Sequence, residues 1–205
     1  MNTSMPINPS HGLAADFAAC VRAITKLAMP VAVARTGMLV LVIVDTAMTG
    51  YFSSAELAYY GLGQAVFMVC MLIGVGMLVG TAVLSAQAVG AGSHSDCGVI
   101  WRVSGLHALA LGALFVVLAQ GGGYFYTLFG YDQDLTDGAS RVLVILTFGL
   151  PGQLLFTASI LFLEALNRPG PGLAIMVGAN VLNAVFNWLL IGGDLGWGGA
   201  GAAWA

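Results

Sequence analysis

The sequence has very little charge: Asp, Glu, Lys and Arg make up 7% of its 205 residues, against about 25% in soluble domains. So few charges cannot cover a surface that faces water, which excludes a soluble fold. Hydrophobic residues account for 59% of the chain, and its mean hydropathy is +0.94. These values predict an integral membrane protein.

Cysteine is also scarce. Cys20, Cys70 and Cys97 are an odd number and widely spaced, so they predict neither a disulfide framework nor a metal-binding cluster. The sequence pairs no nucleophile with a base and has no phosphate-binding loop. We therefore expect no enzymatic activity, no cofactor, no structural metal and no nucleic-acid partner.

Long apolar runs dominate the rest of the chain, and a helix of about 20 such residues crosses a bilayer. We predict an all-α fold with a cytoplasmic N-terminal segment over residues 1–26 and a transmembrane helical bundle over 27–205. The spanning helices are predicted at about 27–50, 57–86, 99–119, 141–163 and 172–191, with a sixth beginning near 198. Pro151 is expected to kink the fourth.

The basic residues favour one orientation. Four of them share one side of the predicted bundle: Arg22, Lys26, Arg102 and Arg168. The positive-inside rule assigns that side, and with it the N-terminus, to the cytoplasm. Aromatic residues at the predicted outer ends, Tyr59 and Tyr60 among them, fit an interfacial belt.

Asp45 is an acid inside the first hydrophobic run, five residues before Gly50 and so roughly 7 Å below the outer boundary. The fifth helix carries Asn180, Asn183 and Asn187 at spacing that places them on one face, and the last two lie in the same depth range. A carboxylate beside amides suits a proton or cation site. The alternative is a hydrogen-bond network that only joins helices.

Three other polar residues of the predicted bundle are candidates for a role: Gln64, Arg35 and Glu164. Gln64, in the outer half of the second helix, is a candidate pocket-lining residue, as is Asn180, and structural hydrogen bonding is the alternative role for Gln64. Arg35 lies in the inner half of the first helix. It either extends toward the inner surface or pairs with Glu164 at the inner end of the fourth helix.

Four motifs occur in an order and spacing that resemble a known family. They are "LAMP" through "VDTAMTG", "LVGTAVLSAQAVGAG", "PGLAIMVGANVLNAVFNWLLIGG" and "LGWGGAGAAWA". Together they resemble the N-terminal half of multidrug and toxic compound extrusion (MATE) transporters, in particular the bacterial NorM-like members. The resemblance covers residues from about 27 to 205.

The resemblance implies an exporter of the bacterial cytoplasmic (inner) membrane that has two lobes of six helices. It implies exchange of protons or sodium ions for small cationic, drug-like molecules. In the family, the acid matching Asp45 is a proposed cation or protonation site, and residues matching Asn183 and Asn187 line the same pocket. The expected partners are membrane lipid, the substrate and a second transporter lobe.

The chain also departs from the family pattern. Family members are about twice as long, so the second lobe is absent from this sequence. We therefore expect an incomplete half of an efflux antiporter, with an inactive fragment or a half-transporter that needs a partner as the alternative. A weaker alternative is a lipid-linked sugar flippase of related fold, whose cavity would need basic residues; Arg35 is the one intramembrane candidate.

Overall fold

The computed structural model of the protein describes residues 13–191 and 198–204. Every regular element within these residues is an α-helix. In chain order the helices are α1 (Leu13–Phe52), α2 (Ser54–Gly90), α3 (His94–Ala119), α4 (Gly122–Leu128), α5 (Gln133–Phe148), α6 (Leu150–Ala165), α7 (Gly170–Leu190) and α8 (Gly198–Trp204). The predicted all-α bundle is confirmed.

Four helices are long and apolar enough to cross a membrane by length and composition: the 31–52 part of α1, together with α2, α3 and α7. The helices α5 and α6 pass the same test as a pair, with a bend of 45° between them. If the bent pair is one span, the described residues hold the five spans that the sequence predicts. The seven-residue helix α8 stands where the sixth was expected to begin.

Some boundaries differ from the predicted ones. Helix α1 begins at Leu13 rather than near residue 27, because the stretch LAADFAACVRAITK contains good helix formers and neither Gly nor Pro. The fourth span begins at Gln133 rather than near 141. The first turns of this helix are polar, but the Asp132 carboxylate accepts a bond from the Leu135 amide (3.0 Å) and so caps the N-terminus of α5. The sequence does not predict the short helix α4, because its seven residues are far fewer than the roughly 20 apolar residues that indicate a spanning helix.

The fourth span breaks at Gly149, between α5 and α6. Pro151 lies in the first turn of α6, where its missing N–H costs no helical hydrogen bond. The predicted kink is therefore a break between two helices. Gly112 of α3 packs directly against this break, because a Cβ atom at Gly112 would lie 2.4 Å from the Cα of Pro151.

Three buried clusters hold the described helices together, and two of them matter for the candidate site and the break in the fourth span. The first joins α2, α3 and α6 through Leu78, Ala108, Leu111, Phe115, Leu150, Leu154 and Ala158. The second, which we call the Tyr60 cluster, consists of Tyr60, Val142, Ile191 and Ala202. It joins α2 to α5, to the end of α7 and to α8, and it lies beside the candidate site.

Candidate functional site

Three helices place polar side chains around the carboxylate of Asp45. Helix α1 presents Asp45 near its C-terminal end, where the hydroxyl of Thr49 donates to the Asp45 backbone carbonyl (2.7 Å). From α7, the Nδ2 atoms of Asn183 and Asn187 donate to Asp45 Oδ1 at 2.9 and 2.6 Å. The two amides lie one helical turn apart, so both reach a single oxygen. The structure thus brings together the three residues singled out in the sequence.

The third contact comes from Tyr60, which the sequence pattern assigned to an interfacial belt. The structure corrects that assignment: Tyr60 is only 2% exposed, and its hydroxyl donates to Asp45 Oδ2 at 3.2 Å. Tyr60 lies in the second turn of α2, close in depth to Asp45 at the end of α1. Depth alone could have suggested this partner, but no spacing rule distinguishes Tyr60 from its neighbour Tyr59.

The carboxylate of Asp45 is therefore surrounded by donors, which we call the Asp45 cage: Asn183, Asn187 and Tyr60. Hydrogen bonds to an ionised carboxylate are about twice as strong as those between neutral groups. They offset the cost of placing this charge away from water. The Asn187 amide is 0% exposed and also bonds Asn183 Oδ1 at 3.1 Å.

One acceptor in the cage has no hydrogen-bond partner among the described residues. It is Oδ1 of Asn187, which is fully buried. A buried acceptor without a donor is costly, and an oxygen beside a carboxylate is the kind of atom that a cation or a proton-bearing group would contact. The residues that could hold a cation are thus Asp45 and its two asparagine neighbours.

The other two candidate lining residues lie apart from these contacts. Asn180 donates to the carbonyl of Met176 on its own helix (2.9 Å), and it lines an apolar groove between α1 and α7 beside Gly37. Gln64 follows Tyr60 by one turn on α2, and its Oε1 atom is buried without a partner among the described residues. Gln64 therefore lies on the Tyr60 face of α2, whereas Asn180 lies outside the cage.

Arg35 and Glu164 are paired in the structure. Their closest atoms, Nη2 and Oε1, lie 3.7 Å apart, and the two side chains are 45% and 23% exposed. Of the two alternatives that the sequence leaves open for Arg35, this geometry favours pairing. Charges at membrane depth usually find such partners, and the pair links α1 to α6.

Replacing Asn187 by alanine is expected to destabilise the protein by about 1.5–3 kcal/mol, the usual cost of losing a hydrogen bond to a charged group. The matched control is Asn180→Ala on the same helix, which removes only a bond to the backbone of Met176 and should cost less than about 1 kcal/mol. Thermal unfolding of the purified chain in detergent measures both. Equal losses would show that the cage does not stabilise the bundle.

Known proteins resemble this chain over most of its length. The MatE family model matches residues 30–189. A probable multidrug resistance protein NorM from Caulobacter vibrioides is 36% identical over 184 residues, which cover 88% of this chain and 39% of the relative. A probable multidrug resistance protein NorM from Pseudomonas aeruginosa is 33% identical over 86% of this chain and 36% of the relative. The chain thus spans about two fifths of the length of these relatives.

Solved structures agree with the fold. The crystal structure of the eukaryotic MATE transporter AtDTX14 superposes with a TM-score of 0.83 at 20% identity, and the match covers 89% of this chain and 41% of that one. At this identity the likeness concerns the fold alone. The match over residues 30–189 and the identity to the bacterial relatives carry the assignment further: the chain belongs to the MatE family.

Proposed function

We propose that this chain is one lobe of a cation-coupled multidrug efflux antiporter of the bacterial cytoplasmic membrane. The observation that carries the proposal is the Asp45 cage, in which one carboxylate receives hydrogen bonds from Asn183, Asn187 and Tyr60. Membership of the MatE family supports it, as do bacterial relatives named as multidrug resistance proteins. The coupling ion is a proton or a sodium ion, and the substrate is a small organic cation.

In this proposal the charge of Asp45 changes during each transport cycle. The ionised carboxylate attracts the cationic drug from the inner side. A proton or sodium ion then enters from outside and neutralises the same carboxylate, so the drug is released outward. The ion drives the conversion between the inward- and outward-facing states because its affinity for Asp45 differs between them.

In this proposal the site has a single negative charge, that of Asp45, because the α7 amides beside it are neutral. Asn183 and Asn187 orient the carboxylate without adding charge of their own, so the drug and the ion compete for Asp45 alone. The Oδ1 atom of Asn187, which has no hydrogen-bond partner among the described residues, supplies one further oxygen for a sodium ion or for the donor that brings a proton. The site therefore suits one monovalent charge at a time.

The alternatives to an antiporter lobe are a lipid-linked sugar flippase and an inactive fragment or half-transporter. A lipid-linked sugar flippase would need free cations to hold an anionic headgroup, but the guanidinium of Arg35 already lies against Glu164. This pairing disfavours the flippase. A half-transporter differs from our proposal in where the second lobe lies, whereas an inactive fragment would not transport at all. We place the second lobe in the longer protein or in a partner chain. In this proposal the N-terminus lies in the cytoplasm, on the side that the positive-inside rule favours.

The proposal is tested by transport in proteoliposomes that contain the full-length protein. A pH gradient and a sodium gradient are imposed separately with the membrane potential clamped, and movement of the cationic dye ethidium is followed by fluorescence. We expect one gradient to drive the dye and its reversal to reverse the direction. An ionophore that collapses the gradient serves as the control. Absence of movement with either gradient would overturn the antiporter.

A further inference from the structure

We propose that Tyr60 is a positioning residue that makes the packing of α8 depend on the charge of Asp45. This inference rests on the proposed function, because it concerns what the bundle does when a coupling ion neutralises Asp45. It goes beyond that function by naming the residue and the helix through which the change leaves the site. Three sets of contacts around Tyr60 support this role.

The first set is the environment of the Tyr60 side chain. The ring is 2% exposed and lies in the Tyr60 cluster with Val142 of α5, Ile191 after α7 and Ala202 of α8. These neighbours are apolar side chains, and the hydroxyl donates to Asp45 Oδ2. Tyr60 therefore bonds the Asp45 carboxylate through its hydroxyl and shares a buried cluster with Ala202 of α8.

The second set fixes α8 to the same site from the other side. A Cβ atom at Gly201 of α8 would lie 2.5 Å from the carbonyl oxygen of Leu190, so α8 packs closely on the end of α7. The amide of Ile191 in turn donates to the carbonyl of Asn187 at 2.9 Å. Two of the three Asp45 partners, Tyr60 and Asn187, are therefore connected to α8.

The third set keeps the rest of the α2 end in place. Tyr59, the neighbour of Tyr60, donates to Asp134 of α5 at 2.5 Å. Its ring also packs on Gly138, where a Cβ atom would lie 2.4 Å from the ring Cγ. Tyr59 thus holds α2 to α5 independently of Asp45. A change at Asp45 is therefore transmitted through Tyr60 to α8 rather than moving the whole end of α2.

Neutralising Asp45 weakens the bond to Tyr60. A hydrogen bond to an ionised acceptor is about twice as strong as one to a neutral acceptor, and a buried hydroxyl that loses its acceptor carries a desolvation cost. The Tyr60 ring then gains freedom to shift, and the packing of Ala202 against it loosens. We infer that α8 is held firmly while Asp45 is charged and is released when the charge is lost.

Amide hydrogen exchange of the full chain in detergent, followed by mass spectrometry at one fixed pH, tests this inference. In Tyr60→Phe, which keeps the ring and removes the hydroxyl, amides of residues 198–204 are expected to exchange about tenfold faster than in the unsubstituted chain. Asp45→Asn should give a smaller acceleration of the same segment. In the double variant the two effects should be less than additive, because Asp45→Asn and Tyr60→Phe both remove the charged contact between these two side chains.

The matched control is Tyr126→Phe. Tyr126 is also fully buried, but its hydroxyl donates to the carbonyl of Leu62 at 3.3 Å rather than to an acid. Burial raises the pKa of Tyr126 to about 12, so its phenol stays a neutral donor throughout. We expect this variant to leave exchange over residues 198–204 unchanged.

Three outcomes would overturn the inference: normal exchange of α8 in Tyr60→Phe, an equal effect of Tyr126→Phe, or a similar acceleration throughout α3, which would indicate global loosening. These outcomes are separable from failure of the proposed function. If α8 does not respond while Asp45→Asn abolishes ion-driven dye movement, only the role of Tyr60 fails. If Asp45→Asn leaves dye movement intact, the proposed function fails whatever α8 does.

Discussion

Replacing Asp45 by asparagine is expected to lower ion-driven dye efflux by the full-length protein about a hundredfold, near the upper range of coupling between two sites. The neutral side chain keeps the shape of aspartate but cannot bind a proton or sodium ion with different affinities in the two states. A ligand without such a difference shifts no equilibrium, however tightly it binds. The measurement is the initial rate of ethidium movement in proteoliposomes under an imposed gradient.

The control for this variant is Asp96→Asn. Asp96 lies in the first turn of α3 and accepts a bond from the hydroxyl of Ser93 at 2.6 Å, in an exposed setting away from the cage. Its loss should leave the efflux rate within about twofold of the original, because an exposed polar contact contributes little. Unchanged efflux in Asp45→Asn, with normal protein yield, would rule out a coupling role for this carboxylate.

Placing even one methyl group at Gly112 is expected to destabilise the fold strongly. The added Cβ of Gly112→Ala would lie 2.4 Å from the Cα and 2.6 Å from the nitrogen of Pro151. Both are backbone atoms, so no side-chain rotation relieves the clash. Helix α3 must move away from the break in the fourth span, at a cost of about 3 kcal/mol or more. Thermal unfolding in detergent and the yield of monodisperse protein measure the effect.

Gly80→Ala provides the matched control for this change. Gly80 lies in α2, and a Cβ atom there would meet no neighbour within 4 Å. The added methyl group should leave stability unchanged or raise it slightly, because alanine favours a helix more than glycine does. Equal stability of the two variants would show that the contact between Gly112 and Pro151 does not hold α3 against the fourth span.

The sequence predicts the bundle well because hydrophobic length is a property of each segment alone. It also brings out Asp45, Asn183 and Asn187 by depth, and the structure places these side chains in contact. What the sequence could not supply is the identity of cross-helix partners that carry no pattern. Tyr60 is such a case, since an aromatic residue near a helix end is equally typical of an interfacial belt.

Asn180 shows a second limit of sequence reasoning. It shares a helical face with the two cage asparagines, yet it lies roughly 10 Å along α7 from Asn187 at the usual helical rise. Its level on α1 is occupied by Gly37, which offers no side-chain acceptor, so the amide turns back to the carbonyl of Met176. A shared face gives the direction of a side chain, whereas a contact also requires a partner at the same depth.

The pairing of Arg35 with Glu164 has an electrical consequence. The two opposite charges move together and cancel, so this pair adds no net charge to a rocking lobe. In the proposed cycle the cage, by contrast, carries one negative charge while Asp45 is empty and none when it holds a monovalent cation. Each elementary charge that crosses the membrane field carries about 2.3 kcal/mol per 100 mV. In the proposed cycle Asp45 holds either the cationic drug or the coupling ion whenever the lobe changes state. This lobe should therefore move almost no net charge in either half-cycle, and both half-cycles should be nearly indifferent to membrane potential.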